Sequence, residues 1–274
     1  MQNKKITFIG AGNMASSIIT GLVNNGYDAK SICACAPSKN HTQQLADSLN
    51  ITISDNNAES VEWAEVIILG VKPQIMADVC QQLVDSGVGL SSKLFISIAA
   101  GISVQRLQSI LGKQTNIIRT MPNTPSLVQK GMTGLFADNQ INPNDKAFAE
   151  QLMQAVGETL WVEKEAMINA IIAASGSAPA YFFLFLEAMQ NKAIALGFDE
   201  DQARLLVLQS ALGSAEMVKQ NPAIDLATLR QNVTSKGGTT EQAVNALIET
   251  GLVETVNKAM QAACDKGAAM EKTL

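Results

Sequence analysis

One histidine, two tyrosines and two tryptophans are present in 274 residues, and aromatic residues make up only 4% of the chain. The lone histidine, His41, falls where the pattern predicts the start of a second helix, by the adenosine end of any bound dinucleotide. A histidine acid at a reaction centre is thus not expected. The four cysteines, Cys33, Cys35, Cys80 and Cys264, have no C-x-x-C spacing. That spacing predicts reduced structural thiols and no metal site. The net charge is −5 with the basic residues scattered, which excludes nucleic acid and anionic membranes as expected partners. The N-terminus has no apolar signal-like region, and Gly, Lys or Pro interrupts the longest apolar runs. The expectation is a soluble, cytoplasmic protein.

What is present begins with Lys5-Ile6-Thr7-Phe8-Ile9-Gly10-Ala11-Gly12-Asn13-Met14-Ala15. A β-rich apolar run enters a glycine turn and leaves as a helix, Met14 to Asn25. Gly10 permits the tight turn, Gly12 lets a pyrophosphate reach the main chain, and Ala15 stands in the third glycine's place. In this context the motif predicts dinucleotide binding; the competing reading is a tight turn with no ligand. The second strand, Ser31 to Cys35, tests which dinucleotide. It runs into Ala36-Pro37-Ser38-Lys39 with no acid to hold a ribose 2′-hydroxyl. A hydroxyl and a cation suit a 2′-phosphate, so NADPH is favoured over NADH. Alternatively, Ser38 only caps a helix and Lys39 is a solvated charge.

Strand and helix patterns alternate through the first 160 residues. Strands are predicted at Glu65–Val71, Leu94–Ile98, Thr115–Met121, Met132–Ala137 and Thr159–Val162. Helices lie between them at Lys39–Ser48, Pro73–Ser86, Val104–Leu111 and Asn144–Val156. From about Glu163 only helices follow: Glu165–Leu196, Asp199–Lys219, Asp225–Asn232, Thr239–Glu249 and Val253–Met270. The predicted fold is α/β: a Rossmann-type, doubly wound, mainly parallel sheet over residues 1–163, then an all-α domain over residues 164–274. Val71-Lys72-Pro73, Ala99-Ala100-Gly101-Ile102 and Arg119-Thr120-Met121-Pro122-Asn123-Thr124-Pro125 fall at the carboxyl ends of strands, the ligand edge of such sheets. Small residues at 99–101 would leave room for a nicotinamide ring.

Within the helical half, Val233-Thr234-Ser235-Lys236-Gly237-Gly238-Thr239-Thr240 interrupts an Ala- and Leu-rich pattern. Two glycines and four hydroxyls make poor helix interior. They make a good anion-binding turn, with N–H groups and the positive helix dipole at its end. The alternative is a turn capped by Thr239 or Thr240.

Together these stretches, with Ser175-Gly176-Ser177-Ala178-Pro179-Ala180-Tyr181, resemble the pyrroline-5-carboxylate reductase family in the same order and over essentially the whole chain. The resemblance implies NAD(P)H-dependent reduction of a cyclic imino acid to L-proline, the last step of proline synthesis. It also implies an architecture similar to 6-phosphogluconate dehydrogenase and a homodimer or a multiple of dimers. Lys236 departs from the proline common there. By the same resemblance, Ser235, Gly238, Thr239 and Thr240 line the imino-acid pocket, with Thr240 near the ring nitrogen as the catalytic hydroxyl. Glu165 matches a substrate-side acid. Cofactor contacts are expected from Gly10, Ala11, Gly12, Asn13, Met14, Ser38, Lys39, Asn57, Val71, Lys72, Pro73, Ala99, Ala100, Gly101 and Asn232.

Three readings stay open from the residues. Ser175–Ala180 either packs a dimer core, with a kink at Pro179, or lines the pocket. Another NADPH-dependent imine reductase or a 3-hydroxyacid dehydrogenase of this architecture is the second; the dehydrogenase would use a lysine in the first long helix of the second domain, but Lys192 lies far along that helix. A non-catalytic NADPH sensor would need no anion-binding turn.

Overall fold

A computed structural model describes residues 3–37 and 39–273, excepting the side chains of residues 39 to 41. Eight strands form one sheet: β1 (Ile6–Ile9), β2 (Ile32–Cys35), β3 (Thr52–Ser54), β4 (Val66–Leu69), β5 (Leu94–Ser97), β6 (Asn116–Met121), β7 (Gly131–Ala137) and β8 (Gly157–Trp161). Their order is β3-β2-β1-β4-β5-β6-β7-β8. All neighbours are parallel except β6 and β7. Every residue of β1, β2, β4 and β5 is buried, as strands covered on both faces require. The helices of this part are α1 (Asn13–Asn24), α2 (Lys39–Leu49), α3 (Asn57–Trp63), α4 (Pro73–Asp85), α5 (Val104–Leu111) and α6 (Pro143–Gln154). Ile18, Ile19 and Leu22 of α1 share a core with Phe8, Ile68 and Leu152 on one face of the sheet. Met76, Cys80 and Leu83 of α4 pack with Ile67, Leu69 and Leu107 on the other. A predicted mainly parallel, doubly wound sheet is thus what the chain forms.

The chain order turns at β1, which pairs with β2 on one side and β4 on the other. That is the topological switch point, where a crevice opens outside the carboxyl ends of the strands.

Six helices follow: α7 (Met167–Ile171), α8 (Ala178–Ala195), α9 (Glu200–Gln220), α10 (Leu226–Asn232), α11 (Thr239–Glu249) and α12 (Leu252–Thr273). A reciprocal capping box of Asp199 and Gln202 starts α9, and Asp225 caps α10 by accepting the Thr228 N–H at 2.9 Å. The single long helix expected from Glu165 is broken between α7 and α8 by a π-helical turn, Ile172–Gly176. Ser177 N–H closes that turn onto Ile172 O at 2.8 Å. Pro179 lacks an N–H and crowds the carbonyl four residues earlier, so the disturbance falls one turn before it.

The chain forms two compact units, Met1–Ser177 with Ala262–Leu274, and Ala178–Gln261. The first segment of the first unit ends at Ser177. Residues 164 to 177 belong with the sheet because Gly134 of β7 leaves room for Ile171, whose side chain an added Cβ would strike. The last turns of α12 return to the first unit, where Glu271 meets Arg119.

Candidate active site

At the switch point the β1–α1 turn and the end of β4 touch. Gly10 has φ +95°, and a Cβ there would lie 2.8 Å from the Gly70 carbonyl. Only glycine fits both the backbone and the space. Gly12, the N-cap of α1, offers no side-chain cap, and the first turn of α1 carries no acid. A Cβ added at Gly12 would meet nothing within 4 Å. The N-terminus of α1 therefore faces open space with its N–H groups unspent, as a pyrophosphate site requires. Asn13 and Met14 open that helix, and Ala15 packs close to Gly70.

The other expected cofactor contacts fall on several elements. Asn57 opens α3, and its side-chain oxygen lies 3.0 Å from the Cys35 thiol at the end of β2. Lys72 is the exposed N-cap of α4, with Pro73 in the first helical position. Ala99 is buried and Gly101 adopts φ +75° in the loop from β5 to α5. Ser38 and the side chain of Lys39 lie outside the described residues, although Lys39 opens α2. Asn232 ends α10 in the second unit.

The Ser235–Thr240 stretch forms a tight turn into α11. Gly237 has φ +73°, and Gly238 N–H donates to Ser235 O at 3.0 Å. The N-cap is Gly238, with no side-chain cap bond, so the alternative of a threonine cap does not hold. Gly237 N–H is taken by Glu241 Oε2 at 2.6 Å. The donors left at this end are the N–H groups of Thr239, Thr240 and Glu241, which open the helix and have no intrahelical partner. Gly238 contributes space instead of a donor. A Cβ there would press 3.0 Å onto Ser235 O.

Glu165 already has one oxygen engaged. Its Oε1 accepts Val104 N–H at 2.7 Å and Arg119 Nη1 at 3.0 Å. Arg119 is fully buried on β6. Its Nη2 lies 2.7 Å from Glu271 Oε1, as a charge contact without hydrogen-bond geometry. A lone cation within an apolar strand already demands a carboxylate; which carboxylate depends on the fold. Burial raises the thiols of Cys33 and Cys80 to about 11 and about 12, so neither is a nucleophile. Among the described residues no group of His, Cys, Asp and Glu could hold a metal ion.

A dinucleotide crevice at a switch point, joined in one chain to a helical unit with an open helix terminus, defines an NAD(P)-dependent oxidoreductase. Residues 165–270 match the family described as pyrroline-5-carboxylate reductase dimerisation, and residues 5–101 match that described as NADP oxidoreductase coenzyme F420-dependent. A pyrroline-5-carboxylate reductase of Vibrio alginolyticus is 53% identical over 272 residues, covering 99% of each chain. The solved pyrroline-5-carboxylate reductase of Coxiella burnetii superposes with a TM-score of 0.91 at 40% identity, covering 98% of this chain and 99% of that one. The Plasmodium falciparum pyrroline carboxylate reductase, solved with NADP bound, gives 0.88 at 31% identity over 99% of both chains. This chain belongs to the pyrroline-5-carboxylate reductase family, and its helical part serves self-association.

Proposed function

We propose that this protein reduces 1-pyrroline-5-carboxylate to L-proline with NADPH, the last step of proline biosynthesis. The observation that carries the reading is the α11 terminus: a Gly237-Gly238 turn that leaves the backbone donors of the first helical turn and the Thr240 hydroxyl for a small anion. The α1 N-terminus and the open space at Gly12 fit the dinucleotide's pyrophosphate. The small residues 99–101 fit a nicotinamide ring. When bound, the dinucleotide supplies the hydride that converts the C=N carbon to CH–NH.

The chain's own residues bind and orient. Thr239 and Thr240 N–H groups, with the Ser235 hydroxyl, hold the carboxylate at the positive end of α11. The Thr240 hydroxyl sits beside the ring nitrogen. An iminium already carries its proton and is electrophilic, so orientation dominates and no histidine acid is needed. Ser38 and Lys39 read the 2′-phosphate, with NADH the weaker alternative. Asn57, Lys72 and Asn232 complete the cofactor contacts.

In the single chain, Phe182, Phe183, Leu184, Leu205 and Leu212 are all more than half exposed on α8 and α9. Such a surface suits a subunit interface, so the solution species is a dimer or a multiple of one. The apolar helical segment Met167–Ala195 is long enough to cross a membrane. Because it lies within the dimerisation match, we read it as interface, in a cytoplasmic enzyme.

The test is a substrate panel. Pyrroline-5-carboxylate should drive NADPH oxidation, while 3-hydroxyacids should not drive reduction of NADP+. The reverse pattern would assign the chain to the dehydrogenase reading.

A further inference from the structure

The structure assigns Glu165 a positioning role: it holds the nicotinamide-side loop between β5 and α5 against the buried Arg119. The inference rests on the reading of residues 99–101 as the nicotinamide lining.

Within the first compact unit, one oxygen of Glu165 joins two separate elements. Val104, whose N–H it accepts at 2.7 Å, is the first residue of α5 and ends the loop that starts at Ile98. Arg119, which donates to it at 3.0 Å, lies within β6, next to β5 in the sheet. Ala99 and Ile102 of that loop bury their side chains in the core beside Val104, and few hydrogen bonds fix its backbone. Residues 99–101 are small, and Gly101 is in the left-handed region. Within the loop, Ala99 N–H makes a long contact with Ser97 Oγ at 3.4 Å, and Ser103 caps α5 by accepting Arg106 N–H at 3.1 Å.

A carboxylate suits this place for two reasons. It meets the positive end of α5, and it neutralises a guanidinium with no access to water. Arg119 is itself held from its other side by Glu271, near the end of the chain. Arg119 is thus the fixed point, Glu165 the link, and the 98–104 backbone what is held. A shift of about 1 Å in such a loop is enough to cost catalysis on the order of tenfold to a hundredfold.

The experiment compares full-length Glu165→Ala, Glu165→Gln and Glu165→Asp with the parent protein. Glu165→Ala should lower kcat about tenfold or more and raise the isotope effect from 4-deuterated NADPH. KM for pyrroline-5-carboxylate should stay within about twofold, since the substrate contacts lie elsewhere. Glu165→Gln keeps an oxygen for both donors and should recover most of kcat. If the alanine variant does not fold, Glu165→Asp keeps the charge beside Arg119 but reaches one methylene less, and should show the same split.

A large rise in KM for the imino acid at unchanged kcat would overturn the inference in favour of a substrate contact. Lower thermal stability with unchanged kinetics would overturn it in favour of a purely structural pair. Amide hydrogen exchange needs no turnover. Val104 N–H should exchange faster in Glu165→Ala than in the parent, and equal rates would overturn the positioning role. If instead the parent protein does not turn over pyrroline-5-carboxylate, the reading of the site fails while exchange at Val104 still tests the link.

Discussion

The side-chain amide of Asn123 donates to the carbonyl oxygen of Ser175 at 3.0 Å. That is the carbonyl that Pro179, four residues on, has no N–H to meet. Through its oxygen, Asn123 also accepts Met132 N–H at 2.8 Å. One buried amide therefore supplies the partner missing from the broken helix and pins the proline-flanked loop after β6.

Removing that amide should be expensive. Asn123→Leu leaves the part-buried Met132 N–H and Ser175 C=O without partners and should destabilise the fold by about 2–4 kcal/mol. Chemical denaturation measures this. A loss below about 0.5 kcal/mol would mean that water replaces the side chain.

Gly10 and Gly12 should separate stability from cofactor binding. Gly10→Ala forces a Cβ onto the Gly70 carbonyl at a positive φ and should lower the melting temperature. Gly12→Val has no protein atom to strike, so it should fold normally. It should nevertheless weaken NADPH binding by roughly tenfold or more, because the side chain fills the pyrophosphate's approach. Calorimetric titration of both variants checks the contrast; equal NADPH affinity in Gly12→Val would remove the cofactor from that turn.

The buried thiols give a pH prediction. Their folded values are raised above the ordinary 9.0, Cys33 to about 11 and Cys80 to about 12, by burial. The stability they lend is therefore complete below about pH 9 and is lost as pH rises through 11 and beyond. Melting temperature should fall across that alkaline window more in the parent than in Cys80→Ala, whose own loss is a pH-independent cavity. At pH 8 a thiol reagent should spare Cys33, Cys35 and Cys80 until the protein is unfolded.

Much of this was legible in the residues. Thr239–Glu249 and Val104–Leu111 are helices with the predicted ends, because glycine and serine mark their starts. β3 and α3 gave no periodic signal. A three-residue strand and a seven-residue helix are too short for one. The π-helical break came a turn earlier than Pro179 because the missing hydrogen bond belongs to Ser175. The resemblance implies a substrate-side acid at Glu165; its partners in the fold, Arg119 and Val104, are 46 and 61 residues away. No local pattern reveals such pairs.

Thr240 tests the chemistry at the α11 terminus. The N-cap of α11 is Gly238 and not a threonine, so Thr240→Val should change stability by less than about 0.5 kcal/mol. If the hydroxyl assists at the ring nitrogen, kcat should fall on the order of 10²-fold while NADPH affinity stays unchanged. A folded variant with near-normal kcat would reduce the turn to a carboxylate site.

The most direct measurement follows the hydrogen itself. Purified protein is given 4-deuterated NADPH and pyrroline-5-carboxylate, and the product is analysed by mass spectrometry and NMR. The account predicts L-proline with one deuterium at C5 for each NADPH oxidised. NADPH oxidation without labelled proline, or no oxidation at all, would contradict it.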